Sequence, residues 1–81
     1  MKYIATKQED GTEEIFIFPM DVNHDCMAEV LSGIRNQTWG DWKRIRRNPI
    51  SAGFIEGGQC VGGSETLQLK ARPEDTSLLK A

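Results

Sequence analysis

The sequence predicts an α+β domain. Its core is a small, mainly antiparallel sheet, built from an N-terminal β-hairpin and short C-terminal strands. One central helix packs on that sheet, and a short C-terminal helix closes the chain. Three observations lead there. An alternating run at residues 3–7 and the β-rich EIFIF at 14–18 flank Asp10-Gly11, a pair that favours a tight turn. Met27, Val30, Leu31 and Ile34 recur at i, i+3, i+4 and i+7, the stripe of one helix face. Pro73 followed by Glu74 and Asp75 marks a helix start, because Pro suits the first helical position and acids complement the dipole there.

Each element follows from local chemistry. In the second strand, Ile15 and Ile17 face one way and Phe16 and Phe18 the other. Both faces are apolar, so cover on both sides is expected. Pro19 ends that strand. Asp21 or Asn23 caps a helix running to about Arg35, with Asp25 in its first turn and Arg35 in its last. Its stripe is expected to be core packing against the hairpin. Residues 36–41 read as a loop carrying Trp39 and Gly40. Residues 42–47 read as a strand that Asn48-Pro49 breaks, since Pro lacks a ladder donor. A strand at 50–56, a turn at Gly57-Gly58 and a return at 59–61 come next. Gly62-Gly63 bends the chain before a strand at 65–70, where Leu67 and Leu69 alternate with polar neighbours. The order is β-β-α, two to four short strands, then a helix whose Leu78 and Leu79 dock.

The chain has 81 residues, which makes residues 1–81 a single domain with a marginal core. Such scaffolds gain stability from disulfides, metal or oligomerisation. Cys26 and Cys60 lie far apart in sequence and are expected to be two small buried thiols. Metal sites need about four ligands and His24 is the only histidine, so no metal is expected. A homo-oligomer is therefore the expected route to stability. No run approaches the ~20 apolar residues of a membrane helix, and MKYIATKQEDG contains no apolar signal core. The expected address is the cytoplasm, with no membrane partner.

Composition and motifs narrow the function. No GxSxG, Walker or HExxH motif occurs, and the one histidine has no evident triad partner. A non-catalytic protein without a cofactor is expected. The densest chemistry is WKRIRRNPISAGF at 42–54. Four of the ten Lys and Arg residues sit there, at Lys43, Arg44, Arg46 and Arg47. As a strand this block either guards an edge against aggregation or forms half of an anion grip, with Trp42 or Phe54 to stack on a base. A second candidate is LQLKARPED, where Arg72 sits beside the free N–H groups of a helix start. There Arg72 either binds an anion or holds its own helix's acids. A third is AGFIEGGQCVGG, whose glycines allow close approach to a small ligand and also serve hairpin turns. The net charge of −2 and pI near 5.3 disfavour long nucleic acids and suit a small phosphorylated ligand or a protein partner.

The segment NPISAGFIEGGQCVGGSETLQLKARPEDTSLLK carries an SAGF strand, a Cys before a glycine-bearing SE-L-L strand, and a terminal RPEDTSLL. It resembles small phage and prophage proteins, among them the anti-Thoeris sponges, which withhold a cyclic ADP-ribose signal without cleaving it. The upstream chain is compatible with the same kind of protein. The resemblance implies a phage-encoded anti-defence protein in the infected bacterial cell. It also implies a homo-oligomer whose pockets involve neighbouring protomers, with an aromatic residue on adenine and arginines on the pyrophosphate. By residue type, Arg46, Arg47, Phe54 and Arg72 are the expected ligand-binding residues. The competing expectation is an anti-defence or accessory protein that inhibits a host complex by protein–protein contact, with Glu9, Asp10, Glu13 and Glu14 imitating nucleic acid.

Overall fold

The computed structural model describes residues 1–33, 35–38, 41–44 and 47–80, with side chains over 1–31 and 47–80. The elements are β1 (Lys2–Gln8), β2 (Glu13–Phe18), α1 (His24–Gly33), β3 (Arg35–Thr38), β4 (Asp41–Arg44), β5 (Arg47–Glu56), β6 (Gln59–Val61), β7 (Gly63–Ser64), β8 (Leu69–Lys70) and α2 (Pro73–Lys80). The main sheet has the order β2-β1-β5-β6, antiparallel throughout, and β3-β4 and β7-β8 form two-stranded ribbons. The α+β class, the antiparallel sheet, the central helix and the short terminal helix are those the sequence predicts.

Directly paired residues share a face of the sheet. The registers therefore place Ile4, Phe16, Phe18, Ala52 and Phe54 on one face, and Tyr3, Ala5, Ile15, Ile17, Ser51 and Gly53 on the other. Helix α1 covers the first face. Leu31 joins Ile4, Phe18 and Ala52 in the buried core, with Met27 and Ala28 packed against it. The second face lies under α2, whose Asp75 is fully buried against Tyr3. As a result β1 is covered on both sides: Tyr3, Ile4, Ala5 and Thr6 are all 0% exposed.

Several expectations are corrected. Double cover falls on β1 rather than β2. The second strand is an edge strand, and its Ile17 is 46% exposed. Val30 is exposed too, because the buried side of α1 runs through His24, Ala28 and Leu31. At 100° per residue that line leaves Val30 on the flank. The helix stops at Gly33, so Arg35 opens β3 instead of closing α1, and residues 36–38 are strand rather than loop. Asn23 occupies the cap position, where its carbonyl accepts the Met27 N–H at 3.1 Å. Cys26 is exposed and Cys60 half-buried.

The pair Asn48-Pro49 lies within β5 instead of breaking a strand. The register slips between Ala5 and Thr6, so Ser51 pairs with Ala5 and Pro49 with Thr6. Ile50 is the extra residue of this bulge, and a bulge is where a strand tolerates proline. The run at 65–70 is not one strand. Ser64 Oγ accepts the Leu67 N–H at 3.3 Å and the Glu65 carbonyl accepts the Gln68 N–H at 3.2 Å, which turns the chain back between β7 and β8. Short polar side chains that bond the local backbone favour such turns. Among the described residues six strands follow α1 rather than two to four. Ile34, Trp39, Gly40 and Arg46 lie outside the described residues.

Candidate functional site

The sequence-predicted ligand residues occupy separate places. Arg47 opens β5 opposite Gln8, and Phe54 lies toward its far end opposite Lys2. Seven residue steps of strand separate them, about 23 Å at ~3.3 Å per residue. Arg72 belongs to the opposite face, under α2. One small ligand therefore does not touch all three within a single protomer.

The two arginines whose side chains are described are already engaged. Arg47 Nε donates to Glu14 Oε1 at 3.0 Å, and its guanidinium lies 5.4 Å from the Phe16 ring centre. Glu14 also accepts from Gln8 Nε2, and Gln8 together with Arg47 holds its carboxyl below the usual range. Among the described residues Arg47 Nη1 is buried without a hydrogen-bond partner, as is Thr6 Oγ1 on the same face.

Arg72 is held more completely. Its guanidinium donates to Asp75 Oδ1 (2.7 and 3.0 Å), to Ser51 Oγ (3.2 Å) and to Glu13 Oε1 (2.9 Å). Asp75 also accepts the Arg72 backbone N–H at 2.9 Å and the Tyr3 hydroxyl at 2.5 Å. Asp75 is thus the acid of the third helical position reaching back to the cap, half of a capping box. The anion held at this helix start is the chain's own. Of the two readings of Arg72, the helix-holding one describes its contacts.

The pKa shifts follow from that arrangement. Burial alone would raise the Asp75 pKa, but the bonds from Tyr3, Ser51 and Arg72 outweigh it, and the carboxyl lies below its usual range. Burial first, and then the Asp75 carboxylate, push the Tyr3 phenol well above its ordinary value. Burial and the charge of Asp75 raise the nearby Cys60 thiol too, which disfavours the reactive thiolate. This cluster is a structural clasp.

Phe54 leads elsewhere. It meets His24 edge-on, with ring centres 5.7 Å apart. His24 Nε2 lies 3.0 Å from the Gly53 carbonyl oxygen, so this nitrogen carries the proton and donates. The other side of Phe54 abuts Gly62, where a Cβ would come within 3.2 Å of the ring. Gly62 opens a cavity of about 710 Å³ lined by residues 62–65 and 68–70.

The cavity is built by the β7-β8 ribbon. Gly63 has no alternative there: a Cβ would lie 2.8 Å from the Leu69 carbonyl oxygen and 3.2 Å from Lys70 Cα. Gln68 adopts φ of 56°, the one non-glycine residue with positive φ among the described residues. Such conformations gather at ligand sites. Leu69 supplies the apolar wall and packs toward the core. Lys70 and Glu65 are exposed at the lining, and among the described residues neither side chain has an ion-pair or hydrogen-bond partner. The glycine-rich candidate of the sequence marks this place. Gln68 and Glu65 gave no sequence signal, because their role depends on how the ribbon turns.

Among the described residues no group of three or more His, Cys, Asp or Glu could hold a metal ion, and no helix is long and apolar enough to cross a membrane. No protein-family model, curated protein or solved structure matches the chain.

Proposed function

We propose that this chain is a non-catalytic binding protein that sequesters a small phosphorylated nucleotide of the cyclic ADP-ribose type. In this reading it is a phage-encoded anti-defence protein acting as a homo-oligomer in the cytoplasm of the infected bacterium. The observation that carries the binding role is the cavity beside Phe54, with the unpaired ammonium of Lys70 on its lining. A concave site with an apolar wall and a few convergent polar groups suits a small ligand. Gly62 and Gly63 let the ribbon close against Phe54 and Leu69 and so shape the cavity, and Lys70 supplies a point charge for a phosphate. The resemblance of 48–80 to the sponge proteins supports the choice of nucleotide.

Thermal unfolding with a panel of nucleotides, cyclic ADP-ribose isomers included, tests this. A ligand that binds only the folded chain raises Tm with its excess over Kd. The expected result is a rise of several degrees that Lys70→Ala abolishes, with the nucleotide recovered intact by mass spectrometry. A cleaved product, or no shift with any nucleotide, would refute sequestration.

A second reading is inhibition of a host complex by protein contact. It is favoured by the edge position of β2 among the described residues, where Ile17 is about half exposed, as is Met20 just beyond the strand. Large exposed apolar side chains on an unpaired edge suit a partner surface. Nucleic-acid mimicry finds less support, since Glu13 and Glu14 are paired with Arg72 and Arg47.

A further inference from the structure

The two charges on the cavity lining are of opposite sign, and this bears on what the cavity accepts. Lys70 suits a phosphate. Glu65 repels one, yet it lines the same cavity within the same ribbon. The pairing Gly63↔Lys70 and Ser64↔Leu69 brings the strands bearing them side by side, and Glu65 follows directly on Ser64. A carboxylate is an acceptor only, with room for two donors side by side. An occupant that satisfies both residues therefore carries an anionic group at one end and paired donors at the other. In a phosphorylated metabolite those donors are hydroxyls. A vicinal diol presents two O–H groups, and carboxylates recognise the ribose of dinucleotides in this manner.

We propose that Glu65 reads the cis-diol of a ribose, so that the cavity selects a ribonucleotide with free 2′ and 3′ hydroxyls and rejects one phosphorylated at the 2′ position. This rests on the cavity being the nucleotide site and adds its specificity. Lys70 grips the phosphate, Glu65 holds the sugar, and the left-handed Gln68 fixes the turn between them. Glu65 is exposed and makes no described side-chain contact, so its substitution does not disturb the fold.

The test measures Tm of the full chain with three probes: adenosine 5′-monophosphate, its 2′-deoxy analogue, and adenosine 2′,5′-bisphosphate. Wild type is expected to bind the ribonucleotide about tenfold or more tightly than the deoxy analogue, the size of a lost bond to a charged group. The bisphosphate is expected to give no shift. Glu65→Gln is expected to erase both preferences and to admit the bisphosphate, while Lys70→Ala abolishes the shift with the ribonucleotide and with its deoxy analogue. Wild type that binds all three equally, or Glu65→Gln that keeps the wild-type preferences, would overturn the role of Glu65 and leave the cavity reading intact. No shift in wild type with any probe or with the cyclic ADP-ribose isomers would overturn both.

Discussion

The face of the sheet under α1 is closed by apolar side chains, whereas the face under α2 is closed by hydrogen bonds and ion pairs. Under α1, Ile4, Phe18, Ala52 and Leu31 exclude water without directional demands. Under α2, Tyr3, Ser51, Arg72 and Glu13 converge on or beside one buried carboxylate, Asp75. Apolar packing degrades gradually as atoms are removed. A buried polar cluster depends on every member being satisfied. The second helix is short, so most of what fixes it is specific pairing.

The sharpest way to break the comparison is to remove one key group from each face. Asp75→Ala should cost about 3–5 kcal/mol, since it leaves Tyr3 and Arg72 without their buried acceptor. Leu31→Ala should cost about 2–5 kcal/mol. Urea unfolding followed by far-ultraviolet dichroism measures both. Equal losses with matching loss of α2 helicity would mean that the two faces act as one unit.

The pH profile separates the faces next. The Asp75 pKa is depressed by folding, so its contribution is present above the unfolded value of about 3.9 and is lost as pH falls through the lower folded value. The Tyr3 pKa is raised by folding, so its contribution is present below about pH 10 and fades as pH climbs above that. Melting temperature should therefore fall at both extremes. Tyr3→Phe should flatten the alkaline arm, shrink the part of the acid arm that Asp75 supplies, and cost about 1 kcal/mol at neutral pH. An unchanged alkaline arm would remove Tyr3 from the clasp. Part of the acid arm belongs to Glu14, held low by Gln8 and Arg47, and will survive in Asp75→Asn.

The smallest effect concerns a polar oddity of the apolar face. Thr6 Oγ1 is buried without a partner, so Thr6→Val should be neutral or stabilising by up to about 1 kcal/mol. A clear loss of stability by calorimetry would show that the hydroxyl has a bound partner in solution.

The two faces also differ in how legible they were. The apolar face was readable in part, from Phe16 and Phe18 of EIFIF and Met27 and Leu31 of the helix stripe, because burial imprints a period on the sequence. The polar face was half legible. Pro73, Glu74 and Asp75 announced a helix start, and the reading that Arg72 holds its own acids was available. Nothing local linked Asp75 to Tyr3, 72 residues away. The cavity was readable only as glycine density. Its lining by Gln68, Lys70 and Glu65 depends on a turn in a run whose alternating leucines imitate a strand.

By itself the sequence determined the elements: a hairpin at Asp10-Gly11, a helix after Pro19, a turn at Gly57-Gly58 and a helix at Pro73. Those follow from torsional preference and hydrophobic period, which act over a few residues. Only the tertiary structure decided that β1 is central and β2 an edge, that a bulge carries Pro49 within β5, and that Arg47 and Arg72 spend their charge on Glu14, Glu13 and Asp75. Those outcomes rest on pairings between distant parts of the chain. The energy of a charge depends on which partner folding brings beside it, and residue type alone does not name that partner.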